Sequence, residues 1–121
     1  MRETRTLEYK ETVSNTFLKT VSAYANYGTG VILFGVADNG TVKGIAEPEK
    51  VCLDIENRIN DSIDPVPDYT LAVEGKPSVI RLTVREGLHK PYLYKAKAYR
   101  RNDSATIEAD RTELTRLILE G

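Results

Sequence analysis

Val31-Ile32-Leu33-Phe34-Gly35-Val36 is an uninterrupted apolar run rich in β-branched residues, the pattern of a central strand covered on both faces. Upstream, Val13, Phe17, Val21 and Tyr24, with Leu18 and Ala25 beside them, recur at helical spacing. They predict an amphipathic helix ending near Asn26, before Gly28 and Gly30. Downstream, Asp38-Asn39-Gly40 is a hairpin signal, because Asn-Gly accepts the positive φ angles of a type I′ turn. A short strand over Thr41 to Lys43 is expected to pair back. Helix, buried strand and tight turn in that order describe a sheet with helices packed against it.

The rest of the chain extends the pattern. Thr6 to Lys10 reads as a first strand. Pro48 opens a second helix whose stripe of Val51, Ile55, Ile59 and Ile63 runs to Asp64-Pro65. Tyr69-Leu71-Val73 and Ile80-Leu82-Val84 alternate as strands joined through Glu74-Gly75-Lys76-Pro77. Tyr92 to Arg101 gives one or two further strands, and Asp110 with Glu113 three residues later forms a capping box for a last helix through Leu114, Leu117 and Ile118. The resulting order, β-α-β-β-α-β-β-β-β-α, is an α+β fold: a mixed β-sheet packed with about three helices.

Length and composition agree with one domain over residues 1–121. The single Cys52 sits at helical spacing among aliphatics, so no disulfide framework is possible and a thiolate zinc cluster is excluded. The charged start, Met1 to Glu8, lacks the apolar core of a secretion signal, and no stretch is apolar for the length of a membrane span. A cytoplasmic protein with no membrane contact is expected. The chain closes on Gly121 as a helix C-cap with no tail, which suggests the N-terminal module of a longer protein.

Net charge is −1, from 17 Lys and Arg against 18 Asp and Glu, but it is unevenly spread. From Arg85 to Arg101 six bases face Glu86 alone, whereas from Glu47 to Asp68 seven acids face two bases. The basic stretch is interleaved with Tyr92, Tyr94 and Tyr99. Lys and Arg neutralise phosphates and release counterions, and tyrosine faces can stack unpaired bases. Lys90, Lys95, Lys97, Tyr99, Arg100 and Arg101, with Arg81 and Arg85 on a neighbouring strand, therefore make a candidate nucleic-acid face. In a continuous strand Lys95, Lys97, Tyr99 and Arg101 would point the same way. The plainer alternative is a solvated sheet edge kept soluble by lysine. His89 is the only histidine and too isolated for a metal cluster. Gly28-Thr29-Gly30 precedes a strand rather than a helix and no Gly-Lys-Ser/Thr follows, so a nucleotide-binding P-loop is not supported.

Taken in order, Leu7-Glu8-Tyr9-Lys10-Glu11, Ala23-Tyr24-Ala25-Asn26, Gly30, Phe34-Gly35-Val36-Ala37-Asp38-Asn39-Gly40, Lys43-Gly44-Ile45, Lys90-Pro91 and Tyr99-Arg100-Arg101 resemble the divergent AlbA-like domain of Schlafen proteins and of many prokaryotic transcriptional regulators. Thr29, Ala37 and Asp103 depart from that pattern. The resemblance implies a nucleic-acid partner, DNA or RNA. It also implies an alternative, a divalent-metal-dependent endoribonuclease in which Glu3, Glu8 and Asp38 hold Mg²⁺ or Mn²⁺ and Lys10 reaches the same phosphate. Hard cations take oxygen ligands, and a bound ion can activate water beside the scissile phosphate. Read from the residues alone, Asp38 opens a turn, Glu8 is an edge charge, and Glu3 has the wrong parity to join Glu8 unless the chain bends between them. A third reading is a scaffold module that forms a homodimer through its sheet face.

Overall fold

The computed structural model describes residues 2–121. Strand β1 (Leu7–Lys10) pairs parallel with β2 (Gly30–Phe34), Glu8 opposite Ile32. Strand β2 pairs antiparallel with β5 (Val79–Val84), and β5 with β4 (Tyr69–Glu74). The resulting sheet order is β1-β2-β5-β4. Helices α1 (Phe17–Tyr27) and α2 (Pro48–Ser62) cover one face of it, and Ile32, Phe34, Ile80, Leu82 and Val84 meet Phe17, Val21, Ile55 and Ile59 in one core. Two short ribbons complete the molecule: β3 (Ile63–Asp64) with β6 (Leu93–Tyr94), and β7 (Tyr99–Asn102) with β8 (Ala105–Glu108). Helix α3 (Arg111–Glu120) closes the chain on the expected capping box, Asp110 accepting from the Glu113 amide and Glu113 from the Asp110 amide, each at 2.8 Å. The fold is α+β with three helices and a mixed main sheet, as the sequence pattern indicates.

Local differences have local causes. Helix α1 starts at Phe17, and Val13 packs on the core from the loop before it. Nine of its eleven residues are buried because it lies between the main sheet and the β7–β8 ribbon, so its polar Ser22 and Asn26 face protein rather than water. The turn at Asp38-Asn39-Gly40 forms, but the returning segment makes a single bridge, Val36 to Val42, in place of a strand over Thr41 to Lys43. A second hairpin had no Asn-Gly to announce it. Lys95 and Ala96 both adopt left-handed φ (51° and 64°), and Tyr94 and Lys97 exchange backbone hydrogen bonds across them at 2.9 and 3.0 Å. The stretch from Tyr92 to Arg101 is thus folded back on itself, and the shared facing of Lys95, Lys97, Tyr99 and Arg101 is lost.

Gly30 is required by close approach. A Cβ there would run into the ring of Tyr24, which lies flush against the start of β2. Cys52 is half-buried on α2, and burial pushes its thiol pKa up, consistent with a packing role. Among the described residues, no helix is long and apolar enough to cross a membrane.

Candidate nucleic-acid interface

Glu8 and Arg101 meet in the interior. Arg101 Nη1 donates to Glu8 Oε1 at 2.8 Å, and the two side chains are 3% and 8% exposed. Thr20 of α1 donates to the same carboxylate oxygen at 3.0 Å and lies 2.7 Å from Thr106 of β8, which also accepts from Arg101. The remaining guanidinium protons go to backbone, Nε to the Arg5 carbonyl at 3.1 Å and Nη2 to the Thr4 carbonyl at 2.6 Å. Every donor group of Arg101 is occupied. A single side chain ties β1, α1 and the β7–β8 ribbon together, and its plane lies over the ring of Tyr24. Arg101 is therefore interior structure, not a phosphate contact: its parity with Tyr99 on β7 points both inward.

Burial raises the pKa of Glu8 above the usual carboxylate range. Lys10, Thr20 and Arg101 pull the other way without cancelling it, and Oε2 is buried without a hydrogen-bond partner. The Lys10 ammonium stands 4.0 Å from that oxygen and donates to Thr16. The chain does bend between Glu3 and Glu8, through paired backbone bonds between Thr4 and Leu7, so the two acids come near each other. Glu3, however, accepts the Tyr9 amide at 2.8 Å, and Asp38 is exposed in its turn. Among the described residues, no three carboxylate, imidazole or thiol groups gather as a metal-binding set. Glu3, Glu8 and Asp38 do not fit a shared Mg²⁺ or Mn²⁺, and the charge opposite Glu8 is supplied by Arg101.

The other bases separate into paired and free. Lys90 is drawn in, with only 11% of its side chain exposed, between Glu86 at 2.6 Å and Glu120 at 3.0 Å. Arg100 meets Glu113 at 2.7 Å, Arg81 meets Glu74 at 3.0 Å and Arg85 meets Asp68 at 3.6 Å. Lys95 is exposed, 5.5 Å over the ring of Tyr94, and Lys97 is exposed with Glu108 at 3.5 Å. Sequence reasoning missed one neighbour. Lys19, exposed on α1, lies 5.8 Å over the ring of Tyr99, and the two tyrosine rings are 6.4 Å apart. Its signal was present: Lys19 interrupts a helix whose other residues are almost all apolar or small, a cation with nowhere to go but outward. Tyr94 and Tyr99 are 6% and 8% exposed, so they serve as a floor beneath the Lys19 and Lys95 ammonium groups rather than as stacking platforms.

Asn26 belongs to a motif visible in the sequence, but its role there was not. It donates to the Tyr92 carbonyl at 2.9 Å and accepts the Tyr92 amide at 2.7 Å, while Ser22 donates to that carbonyl and accepts the Tyr99 amide. These bonds clamp the segment carrying Lys95 and Lys97 onto the helix carrying Lys19.

Compared with known proteins, residues 3–110 match the family described as Schlafen, AlbA_2. Among solved structures, the N-terminal domain of a protein named as related to the ATP-dependent DNA helicase RecG, from Nitrosomonas europaea, is similar with a TM-score of 0.61 and 26% identity, over 92% of this chain and 85% of that one. The DIP2311 protein of Corynebacterium diphtheriae is similar in fold, with a TM-score of 0.67 and 16% identity, over 93% of this chain. This chain spans only 23% of that protein's length. No curated protein is significantly similar in sequence.

Proposed function

The chain belongs to the Schlafen AlbA_2 family, and from that premise we propose that it is a nucleic-acid-binding domain of a regulatory protein, gripping the phosphate backbone through Lys19, Lys95 and Lys97. The observation that carries this reading is the seating of the exposed Lys19 and Lys95 ammonium groups over the neighbouring rings of Tyr99 and Tyr94, with exposed Lys97 two residues from Lys95 and beside Glu108. Two of the three sit over aromatic rings, whose negative faces hold a cation without neutralising it. The contacts are point charges on flexible stems, suited to phosphates rather than base edges, so the domain binds with little regard to sequence. The name of the Nitrosomonas protein, related to a DNA helicase, points toward the same class of partner.

The test is fluorescence anisotropy with unrelated single- and double-stranded oligonucleotides in EDTA. Lys19→Ala/Lys95→Ala/Lys97→Ala should weaken binding to all of them by an order of magnitude or more, whereas Arg81→Ala/Arg85→Ala leaves it near wild type. Equal losses in the two variants would show diffuse charge in place of a site. Intact binding in both would transfer the sheet face to the scaffold reading.

A further inference from the structure

We propose that the cleft between the C-terminal end of α1 and the Arg5-Thr6 bend is a second site, one that takes a single nucleotide unit, its phosphate on Arg5 and its flat base against Tyr27. The cleft holds about 420 Å³, within the range of small-molecule pockets. It lies apart from the lysine floor and is independent of that reading.

Three observations converge. First, the lining includes Tyr24 and Arg101, which are 1% and 9% exposed, so part of the cleft wall is fixed interior structure. Second, Arg5 is exposed and has no carboxylate partner among the described residues, and its backbone is pinned from below by Arg101 through the Thr4 and Arg5 carbonyls. The cation thus stands on fixed backbone at the edge of the cleft. Third, Tyr27 is 43% exposed in the cleft wall, an aromatic face with no partner of its own.

One acid, Glu113, is among the lining residues. The carboxylate of Glu113 is spent on Arg100 and on the Asp110 amide. The α1 carbonyls of Tyr24 and Ala25 already accept from Gly28 and Gly87. An exposed guanidinium and an open aromatic ring in one small cleft match a group that is anionic at one end and planar at the other. A nucleoside monophosphate is that group, free or as the phosphorylated end of a strand.

The experiment is a ¹⁵N-HSQC titration of the folded chain with AMP, UMP, adenosine and inorganic phosphate, followed by short oligonucleotides with and without a 5′-phosphate. The expected result is saturable shifts at Arg5, Tyr27 and Gly28 with the nucleotides and little response to adenosine. Arg5→Gln should weaken the nucleotide about tenfold or more, since a charge-assisted contact is lost. Tyr27→Ala should weaken it about fivefold or more, because the base loses its stacking face. Lys95→Ala/Lys97→Ala should leave mononucleotide binding unchanged, which separates failure of this site from failure of the lysine floor. A response to mononucleotides alone identifies a free ligand, and an added preference for 5′-phosphorylated strands identifies a strand end. Absence of saturable shifts at millimolar nucleotide, equal binding of adenosine and AMP, or full affinity in Arg5→Gln would overturn the proposal.

Discussion

Arg101 does at the scale of one residue what the resemblance would assign to a cation: it faces the Glu8 carboxylate and organises the chain around it. Removing one member of a buried ion pair leaves the other charge uncompensated, at a cost of about 3–5 kcal/mol. Arg101→Met should therefore lower folding stability by roughly that much, also stranding the Thr4 and Arg5 carbonyls. Arg100→Ala, which breaks a partly exposed pair with Glu113, should cost about 1 kcal/mol or less. Urea denaturation of the two variants decides the matter, and equal midpoints would refute the interior role. The motif around Glu8, Asn26 and Arg101 was legible in the sequence as a motif, but its meaning was not. A basic residue next to tyrosines reads as a surface group unless its carboxylate is known to be buried opposite, and Glu8 is 93 positions away.

Among the elements, the tight turn between β6 and β7 shows why strand periodicity misled. The alternation of Lys95, Lys97, Tyr99 and Arg101 is real in sequence, yet two consecutive left-handed residues fold it in half. Ala96 has φ 64°, where an alanine costs about 1 kcal/mol relative to glycine. Ala96→Gly should accordingly raise stability by up to that amount and leave nucleic-acid affinity unchanged; a loss of stability would contradict the turn. Helix α3 is held by its capping box and by Lys90, which reaches Glu120 in its last turn. Hydrogen bonds to Glu86 and Glu120 raise the Lys90 pKa despite the opposing effect of burial, which is the largest single influence. Since the folded value lies above the unfolded one, its contribution is full below the unfolded pKa and disappears as pH climbs through the folded one. The difference in melting temperature between wild type and Lys90→Met should be constant from pH 7 to 9 and shrink above about pH 11. A difference that grows with alkalinity would mean that the ammonium is not the stabilising form.

For the whole molecule, the apolar run at Val31–Val36, the hairpin signal at Asn39-Gly40 and the capping box at Asp110 were enough to give the α+β order, because each depends on neighbours within a few positions. The site was less legible, because it is made by contacts between α1 and a segment some eighty residues later: Lys19 over Tyr99, and Ser22 bonded to the Tyr99 amide. Lys95 keeps an exposed position without an acid and Lys97 an exposed one beside Glu108, while Lys90, Arg81, Arg85 and Arg100 are matched to acids and Arg101 is interior. Of the bases beside the two tyrosines, Lys19, Lys95 and Lys97 are the ones left facing outward. The measurement that bears most directly on this account is the salt dependence of oligonucleotide affinity for wild type and for Lys19→Ala/Lys95→Ala/Lys97→Ala. Three lost phosphate contacts should flatten the slope of log K against log salt by about 2 to 3, at ~0.7 to 0.9 per contact. An unchanged slope in the folded triple variant would contradict it.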